Sequence, residues 1–510
     1  ELGLSLVPGN GLLAAVVPGA FDAWMVLLRD FGTMDMADVL APAIAMAGDG
    51  YPVVPNISKT IGSVRHLFET EWKTSAELYL PGGSPPAPGT IFRNLVLAET
   101  YERIVSQAGA GGGGREKCIE RAREIWAQGF VAEAIDAFCR HEELMDCSGR
   151  RHRGLLRGDD MAAWRATIEE PLSYDYHGYS VCKTGPWGQG PVFLQQLSLL
   201  KGLDLDNLSP TDPDFIHLVV ECAKLAFADR DCFYGDPDFV DVPMDRLLSD
   251  EYASSRRRLV GEAASHDLRQ GSIPGYGWDI ANRAVITGSF AGAQGQVIGE
   301  PTVARFDDDK AAPEAQLLGD TCHMDIIDRH GNMVSATPSG GWLQSSPIIP
   351  QLGFCLSNRS QMYWLESAAP SGLAPAKRPR TTLSPGLVLR DGEPYMVLGT
   401  PGGDQQDQWA LHVFLRHVHF AQNLQEAIDS PGFNTEHLID SFYPREFNPG
   451  HLALEGRMPA GAIDELRRRG HAVSVEGPWS IGRVTAACRD GGLLKAGANP
   501  RFMQGYAIGR

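Results

Sequence analysis

Three groups of residues in this chain have types and spacing that could do chemistry. The first is Thr321-Cys322-His323, standing directly behind Asp320 in the run GDTCHMDIIDRHGNMVSATPSGGW. A threonine hydroxyl is a weak nucleophile until a base takes its proton. The surroundings of Thr321 read as a hairpin: Thr321 to Asp328 has β-branched and apolar residues at strand density, RHGN is a turn, and Met333 to Thr337 is a return strand. With Arg329 to Asn332 as the loop, Asp328 faces Met333, Met324 faces Thr337, and Ser339 arrives beside Thr321 and Cys322. Pro338 should end regular pairing there or mark a bulge. Taken alone, cross-strand hydrogen bonding between a threonine and a serine accounts for such a pair without catalysis.

The second group is Pro401-Gly402-Gly403-Asp404. It follows a strand at Tyr395 to Gly399, reached through a tight turn at Asp391 to Pro394, and leads into a helix. Two glycines at a strand-to-helix turn let backbone N–H groups approach a ligand, and the helix N-terminus adds positive potential, which is how an oxyanion hole is built. A purely structural turn would have the same sequence. The third group is Cys139, His141, Glu142, Glu143, Cys147 and His152. It has metal-ligand composition but no paired C-x-x-C or H-E-x-x-H spacing, and reads as a polar helix end. No cofactor and no metal are expected.

Elements of an α/β (α+β) chain must position these groups. Phe21 to Phe31 and Met36 to Met46 read as amphipathic helices, with Pro42 opening a new turn in the second. Asp212 is an N-cap and Pro213 the first residue of a long helix through Leu225 and Phe227. Gly109 to Gly114 lacks the Lys-Ser/Thr of a phosphate-binding loop and reads as a linker. The polar stretch from Ile298 to Leu318 separates an α-rich first part from a β-richer last part.

Composition narrows the partners. The 510 residues are 43% hydrophobic and 21% charged, and 45 basic against 63 acidic residues give a formal charge of -18. That charge repels nucleic acid and anionic membranes. The basic runs Arg256 to Arg258 and Arg467 to Arg469 read as solvated helix faces. Nine scattered cysteines form no disulfide framework. No apolar run reaches the ~18 residues of a membrane helix, and the first residues lack the basic start of a signal peptide, so the chain reads as soluble.

With these blocks in order, including DYHGYSVCKTGPWGQGPVFLQQLSLLKGLDL, KLAFADRDCFYGDPDFVDVPMDRLLSDEY, the Thr-x-His hairpin, KRPRTTLSP and GTPGGD, the sequence resembles the γ-glutamyltranspeptidase family of N-terminal-nucleophile hydrolases over nearly its whole length. The resemblance implies a precursor that cuts itself between Asp320 and Thr321. Residues 1–320 would form a large subunit and 321–510 a small one, interleaved in one four-layer αββα sandwich. Its partners would be a small-molecule amide and its own other subunit. Thr321 would be nucleophile and, through its new α-amine, base; an α-amine ordinarily titrates at about pH 7.7–8.0. Thr337 and Ser339 would be supporting hydroxyls, Gly402 and Gly403 oxyanion donors, and Thr381 and Thr382 the donors to a substrate carboxylate.

Departures from the family pattern bear on the substrate. Gly341 stands where the family has an asparagine for the substrate α-ammonium, and Trp364 where it has an acidic residue. A buried cation without a paired carboxylate is costly. Asp404 could replace that charge or cap its helix, and capping is the reading preferred here. The chain starts downstream of the family's first block, and no arginine precedes Arg29 to clamp a carboxylate. Three readings remain: a γ-glutamyltransferase or hydrolase acting on γ-glutamyl compounds such as glutathione, an acylase of the cephalosporin or glutaryl-amide type, and an inactive relative.

Overall fold

The computed structural model describes residues 2–281, 321–503 and 505–509. These fall into two compact units, one of residues 2–168 and 340–361, the other of residues 169–281, 321–339 and 362–509. No helix among the described residues is long and apolar enough to cross a membrane.

The first unit is mainly helical. Helices α1 (Ala20–Phe31), α2 (Met36–Gly48), α3 (Leu95–Ala110), α4 (Arg115–Gln128) and α5 (Phe130–His141) surround a core that includes Phe21, Ile104, Ile119 and Ile135. Pro42 opens no new helix: α2 runs through it unbroken, carried by good helix formers on both sides. The glycine-rich stretch is shorter than a linker. Gly109 belongs to α3, and residues 111–114 make a turn to α4 in which Gly112, Gly113 and Gly114 all have positive φ. Cys139 lies in the core and His152 Nδ1 sits 2.7 Å from Asp146 Oδ2, while His141, Glu142 and Glu143 are exposed at the end of α5.

The second unit is built on a six-stranded antiparallel sheet. Its strands are β1 (Leu172–Tyr176), β2 (Tyr179–Lys183), β5 (Gly386–Arg390), β6 (Glu393–Gly399), β10 (Thr485–Asp490) and β11 (Leu493–Ala498), in the order β11-β10-β6-β5-β2-β1. Residues on both sides of position 321 therefore share one sheet. The turn between β5 and β6 is tighter than expected: Asp391 and Gly392, at φ 55° and 81°, make it alone, and Glu393 and Pro394 already pair with β5.

Helices α6 (Gly190–Leu200) and α7 (Pro213–Phe233) pack against each other, and α6 packs on β1 and β2. Almost every residue of both is buried, as expected of helices inside a core. Asp212 caps α7 by accepting from Asp214 N, with Pro213 at its first position. Arg256 does not lie on a solvated face; it is 6% exposed, because it pairs with buried Asp229. The hairpin β3 (Met324–Ile327) and β4 (Met333–Ala336) packs on β6 and β10. Three smaller strands, β7 (Phe433–Thr435), β8 (His451–Glu455) and β9 (Ala472–Glu476), form a separate sheet. All nine cysteines are unbridged.

Candidate active site

The hairpin sets the first half of the site. Its register pairs Ile327 with Met333 and Met324 with Ala336, one residue away from the expected pairing. The cause is local: the Asp328 carboxylate accepts from His330 N, Asn332 N and Asn332 Nδ2, drawing residues 328–332 into a five-residue loop. Carried to the open end, this register sets Thr321 directly opposite Ser339. Cys322 N donates to Pro338 O at 3.1 Å, and Thr321 Oγ1 lies 2.8 Å from Ser339 Oγ. Asp320 lies outside the described residues.

Because strand side chains alternate, His323 and Thr337 share the face of Thr321 and Ser339. His323 Nδ1 is 2.8 Å from Thr337 Oγ1, and its Nε2 is 2.9 Å from Asp325 Oδ2, which also accepts from Thr485 Oγ1 at 3.0 Å. The His323–Asp325 approach is off the line of a well-formed hydrogen bond and is a close electrostatic contact of the ring edge with the carboxylate. His323 was not among the expected site residues. The available signal was its place two residues after Thr321, on the same strand face.

The glycine turn sets the second half. Gly402 and Gly403 have φ 139° and 56°, values that disfavour other residues, and a Cβ on Gly402 would stand 2.4 Å from the Trp409 ring. One 3-10 turn, Gly403–Gln405, leads into α8 (Gln406–His419). Asp404 does not cap this helix with its side chain. Its carboxylate pairs with Arg230 and accepts from Ser441 N at 2.7 Å and Ser441 Oγ at 2.5 Å. Burial pushes the Asp404 carboxyl up, but Arg230, Arg380 and the Ser441 bonds outweigh it and hold it below the usual range. Asp404 is therefore occupied, which leaves it a poor stand-in for a substrate counter-charge.

A shallow cleft opens beside the turn, lined by Gly402, Gly403, Asp404, Glu436, Asp440 and Glu446 among others. Burial first, and the Asp404 charge next, push the Asp440 carboxyl well above its usual range. Thr381 and Thr382 are buried in the same unit, and their hydroxyls make no hydrogen bond among the described residues. A buried unpaired hydroxyl is costly, so two in succession suit donors waiting for a ligand.

Trp364, 1% exposed, packs on Trp278 with ring centroids 5.3 Å apart and under the Arg445 guanidinium at 4.6 Å. Gly341 belongs to the other unit. At φ 78° it would bring a Cβ within 2.5 Å of Asn358 Oδ1, so its backbone requires glycine.

One group among the described residues has metal-ligand geometry: buried His217, Glu221 and His471. Most of its ligand atoms are already engaged without an ion. His217 Nδ1 is 2.9 Å from His471 Nε2, and Glu221 is bound by Lys224 at 2.6 Å and Arg269 at 2.8 Å. Two adjacent cations oppose a third charge of the same sign.

The family model for γ-glutamyltranspeptidase matches residues 3–509. The chain belongs to the γ-glutamyltranspeptidase family. The Glutathione hydrolase-like YwrD proenzyme of Bacillus subtilis (strain 168) is 28% identical over 99% of this chain and 83% of that protein. The Acylase ACY 1 proenzyme of Pseudomonas sp. (strain SE83) is 28% identical over 93% of this chain and 72% of its own length. Among solved structures, LmbA2991HD is 51% identical with a TM-score of 0.91, covering 100% of this chain and 84% of that one. The cephalosporin acylase from Bacillus halodurans is 27% identical with a TM-score of 0.77, covering 98% and 79%.

Proposed function

We propose that this γ-glutamyltranspeptidase-family chain is an N-terminal-threonine amide hydrolase that matures by cutting itself between Asp320 and Thr321. The hydroxyl pair of Thr321 and Ser339 at the hairpin mouth carries the reading. In maturation, Thr321 Oγ1 attacks the Asp320 carbonyl and the peptide shifts from nitrogen to oxygen. Water then opens the ester, freeing the Asp320 carboxyl and the Thr321 α-amine. In turnover that amine takes the proton of the Thr321 hydroxyl as the oxygen attacks a substrate amide. N–H groups of Gly402 and Gly403 stabilise the developing oxyanion, and the proton leaves with the departing amine. Water, or an acceptor amine, resolves the ester. The sheet and the hairpin packed on it are the two inner layers of the αββα sandwich in this reading.

Thr381 and Thr382 donate their unpaired hydroxyls to a carboxylate on the acyl chain. Trp364, buried against Trp278, occupies the sequence position where the family has its anion for an ammonium, and Asp404 is held by Arg230 and Ser441. Together these favour a glutaryl-like acyl group without an α-ammonium, the acylase type. γ-Glutamyl amides such as glutathione are the second reading, supported by the relative named glutathione hydrolase-like. Side-by-side hydrolysis of glutaryl and γ-glutamyl anilides, by the unmodified protein and by Thr321→Ala, tests both. The expectation is Thr321-dependent turnover with the glutaryl compound at least as good a substrate. Turnover that survives Thr321→Ala overturns the nucleophile assignment, and strong rejection of the glutaryl compound overturns the acyl assignment.

A further inference from the structure

We propose that His323, oriented by Asp325, is a positioning residue that fixes the Thr337 hydroxyl as a hydrogen-bond acceptor beside the nucleophile. The inference rests on Thr321 being that nucleophile. His323 and Asp325 are 1% and 3% exposed in their side chains, so neither contact is screened by water.

A lone pair on His323 Nε2 facing a carboxylate oxygen 2.9 Å away would be repelled, whereas an N–H there is attracted. The proton therefore sits on Nε2, and Nδ1 is left as an acceptor. Across the 2.8 Å contact the only available donor is then the Thr337 hydroxyl. Once Thr337 gives its hydrogen to His323, only lone pairs remain on its oxygen.

In the hairpin register Thr337 is the diagonal neighbour of Thr321, with the Thr321–Ser339 pair as the next rung on the same face. An oxygen held as acceptor suits the N–H groups of a terminal amine that must shuttle a proton. Freed to rotate, the same hydroxyl could donate to that amine and occupy its lone pair. Two further contacts hold the imidazole in place. A Cβ on Gly399 would come 2.2 Å from the ring, so the β6 backbone packs flush against it, and Thr485 Oγ1 anchors Asp325 at 3.0 Å.

The test is a double-mutant cycle on chains counted as cleaved by mass spectrometry, with melting temperature recorded for each variant. Asp325→Asn keeps the shape but releases the tautomer, and should lower kcat by up to about 10²-fold with KM unchanged. Thr337→Val should lose as much, Thr337→Ser should restore most of it, and Asp325→Asn added to Thr337→Val should cost nothing further. Multiplying losses in the double variant, or a full-rate Asp325→Asn, would overturn the proposal while leaving Thr321-dependent turnover intact. Turnover independent of Thr321 would instead remove the nucleophile assignment and this inference with it.

Discussion

The two halves of the proposed site are held by opposite physics. At the hairpin mouth, Thr321, Ser339 and Thr337 are neutral hydroxyls placed by strand register, and each bond there is between close neighbours in one hairpin. At the glycine turn, the atoms on offer are backbone N–H groups, and the turn is anchored by the buried pair of Asp404 with Arg230, residues 174 apart in sequence. Local pairing can present a nucleophile because hydroxyls need only a partner within one rung. A backbone pair that must meet a transient charge needs a frame that does not relax, and buried ion pairs supply one.

Breaking the frame should have the largest effect. Arg230→Met leaves buried Asp404 without its directly paired cation, which should cost about 3–5 kcal/mol of stability, read from denaturant unfolding. A variant that is as stable as the parent would show that the ion pair does not hold the turn. Next, Gly402→Ala should lower turnover by about 10²–10³-fold through the lost donor geometry. Melting temperature must be measured beside it, since the new Cβ presses on Trp409. Full turnover would make the turn merely structural. On the neutral side, Thr381→Val and Thr382→Val remove one donor each. Each should raise KM for carboxylate-bearing substrates by an amount worth about 1–3 kcal/mol, and leave a substrate without the carboxylate unaffected.

A further effect, spread over several buried groups, comes from pH. Burial first, and Lys224 next, push His471 down to about 2 and His437 down to about 3, and burial lowers His217 as well. Unfolded histidine titrates near about 6.5, so each group's folded form binds fewer protons below that pH. Stability is thus complete above about pH 6.5 and falls as pH drops below it, at about 1.4 kcal/mol per pH unit for His471 and for His437. Thermal melts between about pH 7.5 and 5 should show this slope, and His471→Gln should flatten it.

Much of this arrangement is legible in the sequence where it depends on neighbours. Alternation marked the hairpin and placed Ser339 beside Thr321, and strand-turn-helix punctuation marked the glycine turn. The one-residue register difference came from Asp328, whose carboxylate gathers loop N–H groups that residue type alone does not assign. Long-range pairs were not legible. Nothing around Asp404 announces Arg230, and nothing in an arginine run announces that Arg256 turns inward to Asp229. Nor does a lone glycine at 341 announce that Asn358 fills the space beside it.

Everything proposed for the site depends on Thr321 becoming a chain end. Intact-mass measurement of the purified protein, beside the Thr321→Ala variant, tests it most directly. Two fragments are expected from the unmodified chain, the second beginning at Thr321, and a single uncut chain from the variant. Efficient cutting of the variant at the same bond, or an unmodified protein that hydrolyses amides while remaining one chain, would contradict it.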